Sequence, residues 1–306
     1  MDPHRRYRPN PGLRRFIGSY APDWIITAVL WVLFLVINHQ VAGFKRQFSL
    51  SDTTYAVHQR VSVVAMYFVC VGAPLVSQAI INLLTVRSWW DIHHSTLGLF
   101  LSLALTGSIT QIVKVTVGRP RPDVISRCQP IPGAADPILG LSTAAICTQT
   151  NLAILEDGWR SFPSGHSSMS FAGLGFLSFY LAGKLHLFDT RGHASKAWLS
   201  LTPLAGASLV AISRTMDYRH HWEDVVTGSA LGLVLSYFAY RQYYPGLASK
   251  IAHQPYATRF EDIDEYQQGG RDEEREERLN GYDDGSADGE DVGLMDGSRK
   301  PRSDGQ

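Results

Sequence analysis

Three short polar clusters, each at the edge of an apolar run, carry side chains that could do chemistry. The first is Lys114-Val-Thr-Val-Gly-Arg-Pro-Arg121-Pro122. The second is Pro163-Ser164-Gly165-His166, and the third is Ser213-Arg214, then His220 and Asp224. Together they supply four fixed cations, two imidazoles, a carboxylate and a Gly-containing turn into a helix. Guanidinium and ammonium groups grip phosphate oxygens, Arg in a two-point fork and Lys as a point charge. Imidazoles can attack phosphorus or protonate a leaving oxygen. The set suits phosphoryl transfer without a metal: there is no His-Glu-x-x-His run and no carboxylate cluster of the kind that holds Mg²⁺. No cofactor is expected.

Each cluster has a blander reading alone. Lys114 to Pro122 could be a basic cap at a headgroup layer, with Gly118, Pro120 and Pro122 breaking the helix. Arg119 and Arg121 stand two apart, so an extended chain would put them on one face. Pro163 to His166 could be a plain helix cap. It also places free N–H groups and a helix dipole where an anion could bind, with the Ser164 hydroxyl as a further donor. His220 and Asp224 are spaced as one turn of a helix beginning near His220, so Asp224 could fix the imidazole tautomer. His221 is equally within reach of Asp224, and spacing does not choose between the two histidines.

The elements that must position these clusters are apolar helices. Net charge is 0 and mean hydropathy is close to zero, but the average conceals segregation. A span needs about 20 mostly apolar residues. Six runs meet or approach that, at 24–42, 61–84, 95–113, 168–187, 197–212 and 225–243. The fifth is short and could gain a turn from Ser195 or Ser213. The fold expected is all-α: a six-transmembrane-helix bundle over residues 20–246, after a segment of residues 1–19 and before an acidic, Gly-rich tail of residues 247–306. That tail cannot bury a core and is expected to be disordered.

Arg5, Arg6, Arg8, Arg14 and Arg15 place the N-terminus in the cytoplasm, and an even number of spans returns the tail there. All three clusters then fall on the lumenal or extracellular side. His93 and His94, before the third run, fall on the cytoplasmic side and read as interfacial residues. Cys70 lies within a span as a small packing residue. Cys128 and Cys147 share the long external link, where an oxidising compartment would allow a disulfide or leave two free thiols.

With the clusters in view, the chain resembles the type 2 phosphatidic acid phosphatase superfamily, the lipid phosphate phosphatases. The family pattern is Lys-x6-Arg-Pro, Pro-Ser-Gly-His and Ser-Arg-x5-His-x3-Asp. It is met by Lys114, Arg121 and Pro122, by Pro163 to His166, and by Ser213, Arg214, His220 and Asp224. The stretches Arg121 to Cys128 and Asp217 to Trp222 are similar to fungal diacylglycerol pyrophosphate phosphatases. The resemblance implies His220, rather than His221, as nucleophile, His166 as acid and Asp224 as the group orienting His220. It implies Lys114, Arg121, Ser164, Gly165 and Arg214 as phosphate ligands, with a phosphohistidine intermediate and no Mg²⁺. Arg119 lies outside the pattern and is expected only to neutralise headgroups. The implied partners are a lipid phosphate and the bilayer, with no nucleic acid. A lipid phosphotransferase of this architecture, a vanadate-dependent haloperoxidase and a non-catalytic transporter are the competing readings. The six runs argue against the soluble haloperoxidases, and the few polar residues in them, such as Gln78 and Asn82, against a transporter.

Overall fold

The computed structural model describes residues 13–45, 50, 59–138, 140–189 and 194–257. Among these the secondary structure is helical, apart from one isolated bridge between Pro130 and Cys147. Helix α1 is Leu13–Gln40, α2 Val63–Tyr67 and α3 Ala73–Leu84, the last two joined by a π-helical turn at Phe68–Gly72. Pro74 has no N–H to offer the Cys70 carbonyl four residues back, and the wide turn ends there. Then come α4 (Trp89–Val117), the short α5 (Val124–Cys128) and α6 (Leu152–Asp157), and α7 (Gly165–Lys184), α8 (Ala194–Met216) and α9 (Trp222–Tyr243).

Three helices among the described residues are long and apolar enough to cross a membrane: Tyr20–Gln40, Val63–Leu84 and Trp89–Val117. They correspond to the first three expected runs. Helices α7, α8 and α9 stand where the other three are expected, and the fifth does extend, to Ala194 and to Met216. These three fall below the apolar level of the first three. In α7 the reason is visible: Ser167, Ser168, Ser170, Gly173, Gly175 and Ser178 are buried inside the bundle.

Helix α7 is the centre of the bundle and packs against α4, α8 and α9. Leu97, Leu103, Phe176, Tyr180 and Tyr240 form part of the core around it. Its contact with α9 depends on small residues. A Cβ on Gly228 would come 2.6 Å from the Ser164 carbonyl oxygen, and one on Gly232 would come 2.2 Å from that of Ser168. Without van der Waals bulk there, the two backbones approach closely, as small residues permit between membrane helices. The start of α9 is thereby seated on the start of α7, which brings the second and third polar clusters together.

The far end of the bundle holds a buried polar cluster. Asp91 is fully buried and accepts from Asn82 Nδ2 (3.0 Å), Tyr180 OH (2.7 Å), Tyr244 OH (3.0 Å) and Lys184 Nζ (2.6 Å). His93 and His94 face the bundle interior. Helix α4 begins at Trp89, so the pair sits inside it, buried among Tyr20, Trp24 and Trp90. Residues 248–257, which composition assigns to the disordered tail, are docked on this end. Lys184 Nζ donates to the His253 carbonyl (2.6 Å), Tyr256 N donates to the Tyr243 carbonyl (3.0 Å), and Ala252 is buried. Backbone hydrogen bonds to the bundle hold a polar segment that has no apolar pattern of its own. The remainder of the tail lies outside the described residues.

Between α4 and α7 the long link makes its own small core of Val124, Cys128, Leu155 and Trp159. Cys128 and Cys147 are joined by a disulfide across it. Cys70 is a buried free thiol.

Candidate active site

Lys114 lies in the last turn of α4, and Gly118 ends that helix in the left-handed region (φ 56°). The turn is needed because the Phe44 carbonyl lies where a side chain would begin, 1.8 Å from an ideal Cβ. Lys114 is buried, and its Nζ donates to the Arg160 carbonyl at 2.7 Å. Arg121 reaches back under the link, where its Nη2 meets Asp157 Oδ1 at 2.7 Å. Arg127 Nη1 holds the other oxygen of Asp157 at 2.9 Å. Asp157 thus bridges two guanidinium groups.

Ser164 is the N-cap of α7 and makes no side-chain cap bond. Gly165, His166 and Ser167 are the first residues of that helix, whose N–H groups have no intrahelical acceptor. A Cβ on Gly165 would lie 3.7 Å from Lys114 Cε, so the turn runs directly beside the lysine. Buried atoms here without a hydrogen-bond partner include Arg121 Nε, Ser164 Oγ, His166 Nε2 and Ser167 Oγ. Polar groups left unpaired in a protein interior are costly, and the guanidinium and hydroxyl donors would suit an oxyanion.

His220 is where the structure departs from the expected local geometry. It is not in a helix; α9 begins at Trp222, with His221 as its N-cap. The His220 ring is buried, and its Nδ1 lies 2.8 Å from the Ser161 carbonyl oxygen but 3.6 Å from Asp224 Oδ2. A carbonyl can only accept, so Nδ1 carries the proton and Nε2 the lone pair. Asp224 is fully buried. It takes the His221 N–H at 3.1 Å and the Ser161 hydroxyl on Oδ2, and Arg119 Nη1 on Oδ1 at 2.8 Å. Arg119 therefore does not share the environment of Arg121. It pairs with Asp224 because the chain turns at Gly118 and sends the two arginines to different partners.

A cavity of about 280 Å³ joins these parts. Lys114, Arg121, Gly165, His166 and His220 line it, together with Arg127, Asp157 and Arg160. Ser164, Arg214 and Asp224 are not among its lining residues. Arg214 is buried beside it, with its guanidinium held by Ser213 Oγ, Asp217 Oδ2 and Gln59 Oε1. Phe34, Val63, Met66 and Met169 add apolar side chains to the lining of the same cavity.

Burial pushes the His220 pKa down to about 3; the Asp224 side chain works against this, and Arg121 and Lys114 reinforce it. In the free protein the His220 imidazole is thus neutral near pH 7. Among the described residues no group of three His, Cys, Asp or Glu side chains is arranged to hold a metal.

Sequence reasoning missed Ser161, Asp157, Arg127 and Arg160. Their contacts are made by backbone carbonyls or across the link, and neither leaves a spacing rule. Ser161 stands two residues before Pro163, and Arg127 falls within the stretch Arg121 to Cys128 that carries the fungal resemblance.

The PAP2 superfamily model matches residues 95–246, the stretch that contains all three clusters. Lipid phosphate phosphatase 2 of Arabidopsis thaliana is 38% identical over 229 residues, covering 73% of this chain and 77% of that protein. Diacylglycerol pyrophosphate phosphatase 1 of Saccharomyces cerevisiae is 38% identical over 237 residues, covering 74% and 81%. The probable diacylglycerol pyrophosphate phosphatase 1 of Schizosaccharomyces pombe is 38% identical over 232 residues, covering 74% and 81%. No solved structure gives a significant match. The chain belongs to the PAP2 superfamily and is a hydrolase of the phosphatase kind.

Proposed function

We propose that the chain is an integral membrane lipid phosphate phosphatase. Its substrates are phosphatidate, lysophosphatidate or diacylglycerol pyrophosphate, and it acts in phospholipid metabolism. The observation that carries this is the mixed lining of one cavity, in which Lys114, Arg121, His166 and His220 stand together with Phe34, Val63, Met66 and Met169. A phosphate head with an apolar body fits such a lining.

In this reading Lys114, Arg121 and Arg214, with the Ser164 hydroxyl and the Gly165 N–H, hold the terminal phosphate. The His220 Nε2 lone pair attacks phosphorus. The bond to the leaving oxygen breaks, and that oxygen takes a proton from His166. Water then attacks the phosphohistidine and gives its proton to His166. The N–P bond breaks toward His220, and inorganic phosphate leaves. Asp224 stabilises the imidazolium formed in between.

The chain crosses the bilayer six times, in α1, in α2 with α3, and in α4, α7, α8 and α9. Exposed Trp89, Phe188 and Trp198 at one end and Tyr218 and Trp222 at the other support this, because aromatic residues favour the two interfaces. Residues 20–246 form the catalytic domain, with residues 1–19 and the acidic tail in the cytoplasm. The cavity opens on the lumenal or extracellular side of a vacuolar, endomembrane or plasma membrane.

Purified protein assayed on these lipids and on sphingoid phosphates in excess EDTA should release inorganic phosphate. Complete loss on chelation, restored by Mg²⁺, would falsify the metal-free mechanism. Phosphorylated lipid products in place of inorganic phosphate would mark a phosphotransferase.

A further inference from the structure

Ser161 uses all three of its polar groups within the site. Its N–H donates to the Arg119 carbonyl at 3.1 Å, its carbonyl accepts from His220 Nδ1 at 2.8 Å, and its hydroxyl donates to Asp224 Oδ2. It is fully buried. Arg119 closes the circuit by pairing with the remaining oxygen of Asp224 at 2.8 Å. Asp224 itself is 3.6 Å from His220 Nδ1, beyond a hydrogen bond. The group that touches the histidine is the Ser161 carbonyl, and the carboxylate holds that carbonyl in place through the serine hydroxyl.

We propose that Ser161 is the positioning residue of the nucleophile. Its carbonyl sets the His220 tautomer and aims Nε2 into the cavity, while Asp224 and Arg119 act on His220 by holding Ser161. The proposal rests on the reading of His220 as nucleophile. A main-chain carbonyl suits the task in the resting site. It directs Nδ1–H without placing a full charge against the ring, so the imidazole stays neutral and its Nε2 lone pair stays available. When the phosphoryl group arrives and the ring becomes cationic, the nearby carboxylate stabilises that charge. Arg119 prevents Asp224 from turning toward the solvent side, where Glu223 already lies 3.5 Å from the same guanidinium.

The test uses the purified full chain with Ser161→Ala, Ser161→Thr, Asp224→Asn, Arg119→Gln and the double variant Ser161→Ala/Asp224→Asn. The readouts are kcat, trapped acid-labile label from labelled phosphatidate, and competitive inhibition by inorganic phosphate. Ser161→Ala should lower kcat and the rate of label trapping by about 10- to 100-fold, the scale of a misaimed reacting group. Its inhibition constant for phosphate should stay within about twofold of wild type, because Lys114 and Arg121 are untouched. Ser161→Thr keeps the hydroxyl and should recover most of the rate. Arg119→Gln, at a partly exposed position, should show the same split with a smaller loss, and it serves if Ser161→Ala does not fold. The double variant should be little slower than its slower parent, since both changes cut one chain of contacts. Wild-type kcat in Ser161→Ala would overturn the proposal. So would a phosphate inhibition constant that rises in step with the lost rate, which marks a collapsed site. Trapped label persisting in His220→Ala would overturn the underlying choice of nucleophile instead.

Discussion

His220→Ala should release no phosphate from any lipid substrate and trap no acid-labile label, a loss of about 10⁴-fold or more. The reason is positional. His220 lines the cavity, its Nδ1 proton is committed to the Ser161 carbonyl, and its other nitrogen is left to attack. His221, one residue on, is the N-cap of α9; its ring is partly exposed, with Nδ1 3.4 Å from Asp224 Oδ2. His221→Ala should therefore keep most of the activity and lose about 1 kcal/mol or less of stability as a weakened cap. His166→Ala should be severely slowed on lipid monoesters but less so on an activated aryl phosphate, whose leaving group needs little protonation. Label lost in His221→Ala and kept in His220→Ala would reassign the nucleophile.

Lys184→Met should lower the midpoint of thermal unfolding in detergent while leaving kcat of the folded protein nearly unchanged. Lys184 and Asp91 are both almost wholly buried, with 2.6 Å between Nζ and Oδ1. Removing one partner of a buried pair costs about 3–5 kcal/mol, because the other charge stays uncompensated. Tyr180, Tyr244 and Asn82 still donate to Asp91, so the lower part of that range applies. At about 2–4 °C per kcal/mol for a domain of this size, the midpoint should fall by roughly 6–12 °C. Lys184→Met/Asp91→Asn should recover most of it. Asp91 is separated from Lys114 along α4 by roughly 34 Å at 1.5 Å per residue, so the catalytic end should not respond. An unchanged midpoint would show that Asp91 is satisfied without the lysine. A fall in kcat would show that the two ends are coupled.

The bundle was legible in outline because a helix that faces lipid must be apolar for its whole length. That rule finds α1, the joined α2 and α3, and α4 cleanly. It works less well on α7, which lies inside the bundle, where Gly and Ser allow close packing and lower the apolar content. The site was legible through residue types near the ends of those helices. Lys114, Arg121, His166 and His220 do meet in one cavity. The start of α9 was misplaced because a His and an Asp four apart look like one helical turn. Here His220 is non-helical and precedes the N-cap of α9, and its Nδ1 goes to the Ser161 carbonyl instead.

By itself the sequence determined which chemistry was available: two imidazoles, a set of guanidinium and ammonium groups, and one carboxylate set among apolar helices. These are properties of side chains and of a local period, and both are written in the order of residues. Tertiary structure alone decided who faces whom. It sent Arg119 to Asp224 and Arg121 to Asp157, placed the Ser161 carbonyl on His220, and docked residues 248–257 on the buried Asp91 end. Each of these contacts joins residues distant in the chain, and most of them use a backbone carbonyl or a carboxylate shared between partners. Every residue has a carbonyl, so nothing in a one-dimensional pattern marks the few that the close approach of α7 and α9 brings to bear.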